Sequence, residues 1–234
     1  SLVGSEMCIR DRYYAVQKDI DIRTGGPTLI DFDMQRISQR INIILNIRTE
    51  GDIKKEDLLP PIIELSGACG HFNISEACLD TTRLYRMVHQ AQPDEFTQTG
   101  ENTYRCVVHF HTLGVIPSAA KGHLNGPGIL QVALQVSANR LDASGAPVLD
   151  QDGKPVKNSR YIYGAINPYD ELTAAQLIEV RDGKTYLRYS KDDVNIEITS
   201  PLVIKADQIV SDDTGMGWQP NDPTNPDDDI IIEI

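Results

Sequence analysis

The most regular hydrophobic pattern lies late in the chain. Val194, Ile196 and Ile198 alternate with Asn195, Glu197 and Thr199. After Pro201, Leu202, Ile204 and Ala206 alternate with Val203, Lys205 and Asp207. Period-two patterning puts one face of a strand on a core and the other in water. Residues 103–112, 129–136 and 160–166 are further β-rich runs. They are separated by turn chemistry at Asp142-Ala143-Ser144-Gly145 and Asp152-Gly153-Lys154. Residues 170–178 suit one helical turn or an extended loop, and Arg181-Asp182-Gly183-Lys184 is a good hairpin turn.

The first hundred residues have a different texture. Tyr14, Val16, Lys18, Ile20 and Ile22 share one strand parity, Thr24-Gly25-Gly26-Pro27 makes a turn, and residues 28–32 can return as a second strand. Met34, Ile37, Ile41, Ile44 and Leu45 then recur at helical spacing behind Asp33, a suitable N-cap. That spacing predicts a helix over 34–46, ended near Gly51. Residues 54–59 form a short helical turn closed by Pro60-Pro61. Asn73-Ile74-Ser75-Glu76 has the form of a capping box, and Ala77, Cys78, Thr81, Leu84, Tyr85 and Val88 line one helical face. A second helix is predicted over 75–91, stopped by Pro93. The expected fold class is therefore α+β. A mixed segment over 13–100 is followed by a mostly antiparallel β segment over 101–210 and an acidic, disordered tail over 211–234.

Composition narrows the partners. The 234 residues carry a formal net charge of -12, with 40% hydrophobic and 24% charged side chains. Phosphate backbones are bound by clustered Lys and Arg, so this balance opposes nucleic-acid binding. No apolar run approaches the ~20 residues that span a bilayer. No basic residue follows Lys205, and the Asp-, Pro- and Asn-rich stretch beyond it reads as disordered. Ile230-Ile231-Ile232-Glu233-Ile234 closes the chain, and could add a strand to a sheet edge, its own or a partner's. The opening twelve residues resemble a translated sequencing adapter, so the native start is expected to be missing. Cys8 falls within them. Of the remaining cysteines, Cys69 and Cys78 flank a short segment and could pair in an exported chain. With Cys106, all three are more simply buried thiols.

No complete catalytic motif is present. The sharpest local feature is Val108-His109-Phe110-His111. On a strand, i and i+2 point to one face, so two imidazoles can grip one Zn²⁺. The pattern resembles the metal-binding strand of alpha-type carbonic anhydrases. That family brings a third histidine on the following strand, where Gln131 to Val136 holds none, leaving His123, His89 or His71 as substitutes. The expected metal set is His109, His111 and His123, with zinc the one cofactor considered and no catalytic residue assigned. Asp31 and Asp33 also share a strand parity and could bind Mg²⁺ or Ca²⁺, although Asp33 already serves as a cap. Asp150-Gln151-Asp152-Gly153 lacks the later ligands of a calcium loop and reads as a polar turn. Gly122-His123-Leu124-Asn125-Gly126-Pro127-Gly128 lacks the phosphate-loop order and reads as a flexible loop.

Residues 161–210 carry Tyr163-Gly164-Ala165-Ile166-Asn167-Pro168, then Asp182-Gly183-Lys184-Thr185-Tyr186-Leu187-Arg188-Tyr189, then the strands at 194–198 and 202–209. This stretch resembles the phage baseplate assembly protein V family, the tail spikes. The resemblance implies an intertwined trimeric β-structure. Three functions follow: a structural, non-enzymatic component of a virion or cell-surface assembly that self-associates; a zinc-dependent lyase or hydrolase on His109 and His111; or a secreted binding module. The first is preferred, with a virion, extracellular or periplasmic location.

Overall fold

The computed structural model describes residues 12–15, 17, 20, 24–188, 193–206 and 231–233. Its elements in chain order are β1 Tyr13–Tyr14, β2 Gln35–Arg36, β3 Gln39–Glu50, β4 Ile62–Asn73, β5 Cys78–Gln90, β6 Phe96–Gly100 and β7 Thr103–Thr112. Then come β8 Leu130–Asn139, β9 Lys157–Ile166, α1 Tyr169–Ala175, β10 Ile178–Arg181, β11 Lys184–Leu187, β12 Val194–Lys205 and β13 Ile231–Glu233. A 3-10 turn, Lys55–Asp57, stands where the short helical turn is expected.

The strands form a seven-stranded sheet, β10-β11-β5-β4-β8-β9-β13, and a four-stranded sheet, β12-β3-β7-β6, besides the small β1–β2 pair. Pairing is antiparallel except for β12 on β3 and β13 on β9. One core joins the two large sheets. Ile41, Ile43, Leu45, Ile47, Val108 and Ile204 from the smaller sheet meet Ile63, Leu65, Leu130, Leu134 and Ile162 from the larger. A Cβ placed on Gly164 of β9 would come within 3.1 Å of Leu202 of β12, which shows how closely the layers approach there. Strands from either side of residue 100 interleave in both sheets: β3 lies between β7 and β12, and β4 lies between β5 and β8.

The fold is mostly β, and neither N-terminal helix exists; the α+β expectation with helices at 34–46 and 75–91 is overturned. The first of these segments is β3. Ile41, Ile43, Leu45 and Ile47 are each at most 2% exposed, while Arg40, Asn42, Ile44 and Asn46 face the other way. Residues 41 and 45 fit both periods, whereas Ile44 fits only the helical one. The β-branched content of Gln39–Glu50 and full-length partners on each side select the strand. Asp33, the expected cap, therefore precedes no helix and lies outside any helix or strand. In the second segment the cap itself forms, with Asn73 Oδ1 accepting the N–H groups of Ser75 and Glu76 at 3.1 and 3.3 Å. The chain then turns left-handed at Ala77 (φ 56) and returns as β5, paired with β4 from Cys78 to Gln90. Leu84, Tyr85 and Val88, read as one buried helical face, stay 38%, 46% and 62% exposed.

Several expectations further along the chain stand. β7 spans the run expected at 103–112, and α1 supplies the helical turn near 170. The hairpin turn at Asp182-Gly183 joins β10 to β11, with φ 51 and 72. The alternation at 194–206 is one strand. A bulge between Ile198 and Leu202 absorbs Pro201, whose nitrogen cannot donate to a ladder. β12 finds its partner, β3, within the same chain. The return strand expected at 28–32 does not form, and β1 pairs instead with Gln35–Arg36; residues 16, 18, 19 and 21–23 lie outside the described residues, as do 1–11, 189–192, 207–230 and 234.

Candidate functional site

A row of chemistry-bearing side chains crosses the outer face of the four-stranded sheet. His109 and His111 share that face of β7, as their spacing requires. Register places His109 opposite Asn42 of β3, and Asn42 opposite Asn195 of β12. The side chains follow the register. His109 Nδ1 lies 2.7 Å from Asn42 Oδ1, and Asn42 Nδ2 donates to Asn195 Oδ1 at 2.8 Å. With the amide so oriented its oxygen accepts, so His109 carries its proton on Nδ1. Beside this row Arg40 pairs with Asp193 at 3.4 Å. At the sheet margin His89 Nε2 lies 2.8 Å from Glu95 Oε2, which also accepts the Gln92 N–H at 2.8 Å.

These placements set the charges. Burial, reinforced by Arg40 and His89, lowers the His109 pKa against the opposing pull of Glu95 and Asp193. It thereby favours the neutral ring. Burial works against ionisation of Glu95, but the Gln92 N–H and His89 outweigh it and hold the carboxyl below its ordinary value. The arrangement is a polar ladder that ties β7, β3 and β12 side by side.

His123, the expected third ligand, sits in the 113–129 connection, where its carbonyl accepts the Asn167 side-chain amide at 2.8 Å. Among the described residues no group of three His, Cys, Asp or Glu is arranged to hold a metal ion. His89 was considered from sequence as a substitute third metal ligand, whereas Asn42, Asn195, Arg40, Asp193 and Glu95 were not singled out. Only Asn42, a polar residue breaking an apolar run, carried any signal. Cys69, Cys78 and Cys106 are free, buried thiols, and burial pushes Cys69 up to about 11 and Cys106 to about 12. Such thiols are protonated and inert at neutral pH.

A cleft of about 450 Å³ lies between the extended N-terminal segment and the β4–β5 turn. It brings Asp31 and Asp33, paired by sequence, together with Glu76 from the turn, alongside Tyr14, Phe32 and Ile74. Glu76 is already bound to Lys184 at 3.0 Å.

Fold and site define a two-layer β protein stabilised by cross-strand pairing. No protein-family model matches the chain, and no curated protein matches it. It is similar to a solved structure from Bacteroides ovatus, described as a "putative adhesin", at 9% identity and a TM-score of 0.36. The likeness covers 80% of this chain and 54% of that one, so this chain spans about half the length of that protein. No helix of the described residues is long and apolar enough to cross a membrane.

Proposed function

We propose that the protein is a non-enzymatic structural subunit of a cell-surface or virion assembly, joined to its neighbours by strand addition. The observation that carries this reading is β13. Ile231–Glu233 adds in parallel to the edge of β9, matching Ile231 to Tyr163, Ile232 to Gly164 and Glu233 to Ala165. Residues 207–230 separate it from the rest of the chain. A strand held through backbone hydrogen bonds to an edge is a transferable joint, because an identical edge on another copy offers the same donors and acceptors. The resemblance of residues 161–210 to tail spikes supports the virion as the place of assembly.

Light scattering of the full chain at micromolar concentration tests the reading. Species larger than one chain are expected, shifting to monomer when residues 230–234 are removed. A strictly monomeric full chain refutes it.

A further inference from the structure

The connection between β8 and β9 is built from a tandem repeat. Leu141-Asp142-Ala143-Ser144-Gly145-Ala146-Pro147-Val148 is followed at once by Leu149-Asp150-Gln151-Asp152-Gly153-Lys154-Pro155-Val156. Leu, Asp, Gly, Pro and Val recur at the same places. The two octads also share one geometry. Asp142 Oδ1 accepts the N–H groups of Ser144 and Ala146 at 2.8 and 3.0 Å, and Asp150 Oδ1 those of Asp152 and Lys154 at 2.9 and 2.8 Å. Asp142 N–H donates to Ala146 O and Asp150 N–H to Lys154 O, both at 2.8 Å. Gly145 and Gly153 take φ 83 and 75, a left-handed conformation that suits glycine. Bridges join Leu141 to Pro147 and Leu149 to Pro155. In each octad only the valine is half-buried; the rest is exposed.

Three equivalent positions close the unit. Val148 N–H donates to Arg140 O, Val156 N–H to Val148 O, and Arg140 N–H to Val156 O, at 2.8, 2.8 and 2.7 Å. A single octad would close by a simpler route. The β8–β9 ladder ends at Asn139 opposite Lys157. With residues 149–156 removed, Val148 would precede Lys157 directly. Arg140 and Val148 would then exchange both hydrogen bonds as an ordinary antiparallel pair. The first octad alone would then complete a β-hairpin.

We infer that the second octad is a duplicated unit that the sandwich does not need. The inference stands independently of the strand-addition reading. Two deletions test it by amide hydrogen exchange and thermal unfolding. Removing residues 149–156 is expected to keep the Arg140 and Val148 amides protected and to move Tm by about 2 °C or less. Removing residues 150–153, half a unit, is expected to strip protection from the Arg140 and Val156 amides, since the ring then cannot close. Loss of Arg140 protection or failure to fold after the whole-unit deletion overturns the inference. Retained protection after the half-unit deletion overturns it too.

Discussion

Tyr104 shows how little one side chain's exposure says about its fit. It is 1% exposed and stacks on Phe96 with ring centroids 5.5 Å apart, yet among the described residues its hydroxyl has no hydrogen-bond partner. A buried unpaired hydroxyl costs free energy that a phenyl ring does not. Tyr104→Phe is therefore expected to leave stability unchanged or raise it by about 1 kcal/mol, read from the denaturant midpoint. Asp57 is the opposite case. At 6% exposure its carboxylate accepts the Lys54 N–H at 3.1 Å and pairs with Lys157, tying the 3-10 turn to β9. Asp57→Ala removes both partners and is expected to cost about 1–2 kcal/mol.

His109 gives the molecule a pH dependence of fixed sign. Its folded-state pKa lies below the unfolded value near 6.5. The unfolded chain therefore takes up the proton first, and stability present above that value is lost as pH falls through the folded pKa. His109→Gln keeps a donor toward Asn42 and removes the titration. Its denaturant midpoint should fall less between pH 8 and pH 5 than that of the unaltered protein. Glu95, whose folded pKa is also lowered, acts in a more acidic window, so the two contributions separate along the pH axis.

At the scale of elements, bulges and glycines shape the larger sheet. β4 shifts register between Leu65 and Ala68, and Gly67 occupies the irregularity with φ 83. A Cβ there would lie 2.6 Å from Gly128 N and 2.7 Å from Ile116 O. Both obstacles are backbone, which cannot swing aside. Gly67→Ala is expected to cost about 2 kcal/mol or more, adding a steric clash to an unfavourable φ, with the loss visible in thermal unfolding. β7 and β12 were legible in sequence because each buries one face and alternates cleanly. β3 was not, because Ile37, Ile41, Ile44 and Leu45 also satisfy a helical period. β5 was not, because most of its length is exposed and its own pattern does not decide its conformation. The hydrogen-bond ladder of β4 decides it. The His109–His111 face was legible from spacing alone; the partners on β3 and β12 lie 67 and 153 residues away from His109 and Asn42 respectively, and no local pattern reports them.

For the whole molecule, the interleaving of strands has a thermodynamic consequence. β3 sits between β7 and β12, and one hydrophobic cluster draws on all three together with β4, β8 and β9. Neither of the two large sheets is built wholly from 13–100 or wholly from 101–210. A single cooperative unfolding transition is expected for the full chain, and the fragment 13–100 expressed alone should show no cooperative transition by calorimetry. Two separable transitions in the full chain would contradict this.

The amino-acid sequence by itself determined the parity of β7 and β12, the turns at Asp182-Gly183 and at the two Asp-Gly tips, the acidity and the lack of a complete catalytic motif. Each of these is a local property, carried by side chains within a few residues of one another. Tertiary structure decided that 39–50 and 78–90 are strands, that β12 runs parallel to β3, and that His109 is tied to Asn42. Those outcomes depend on which distant backbone supplies the missing hydrogen bonds, and that pairing prevails over the helical spacing of the apolar residues.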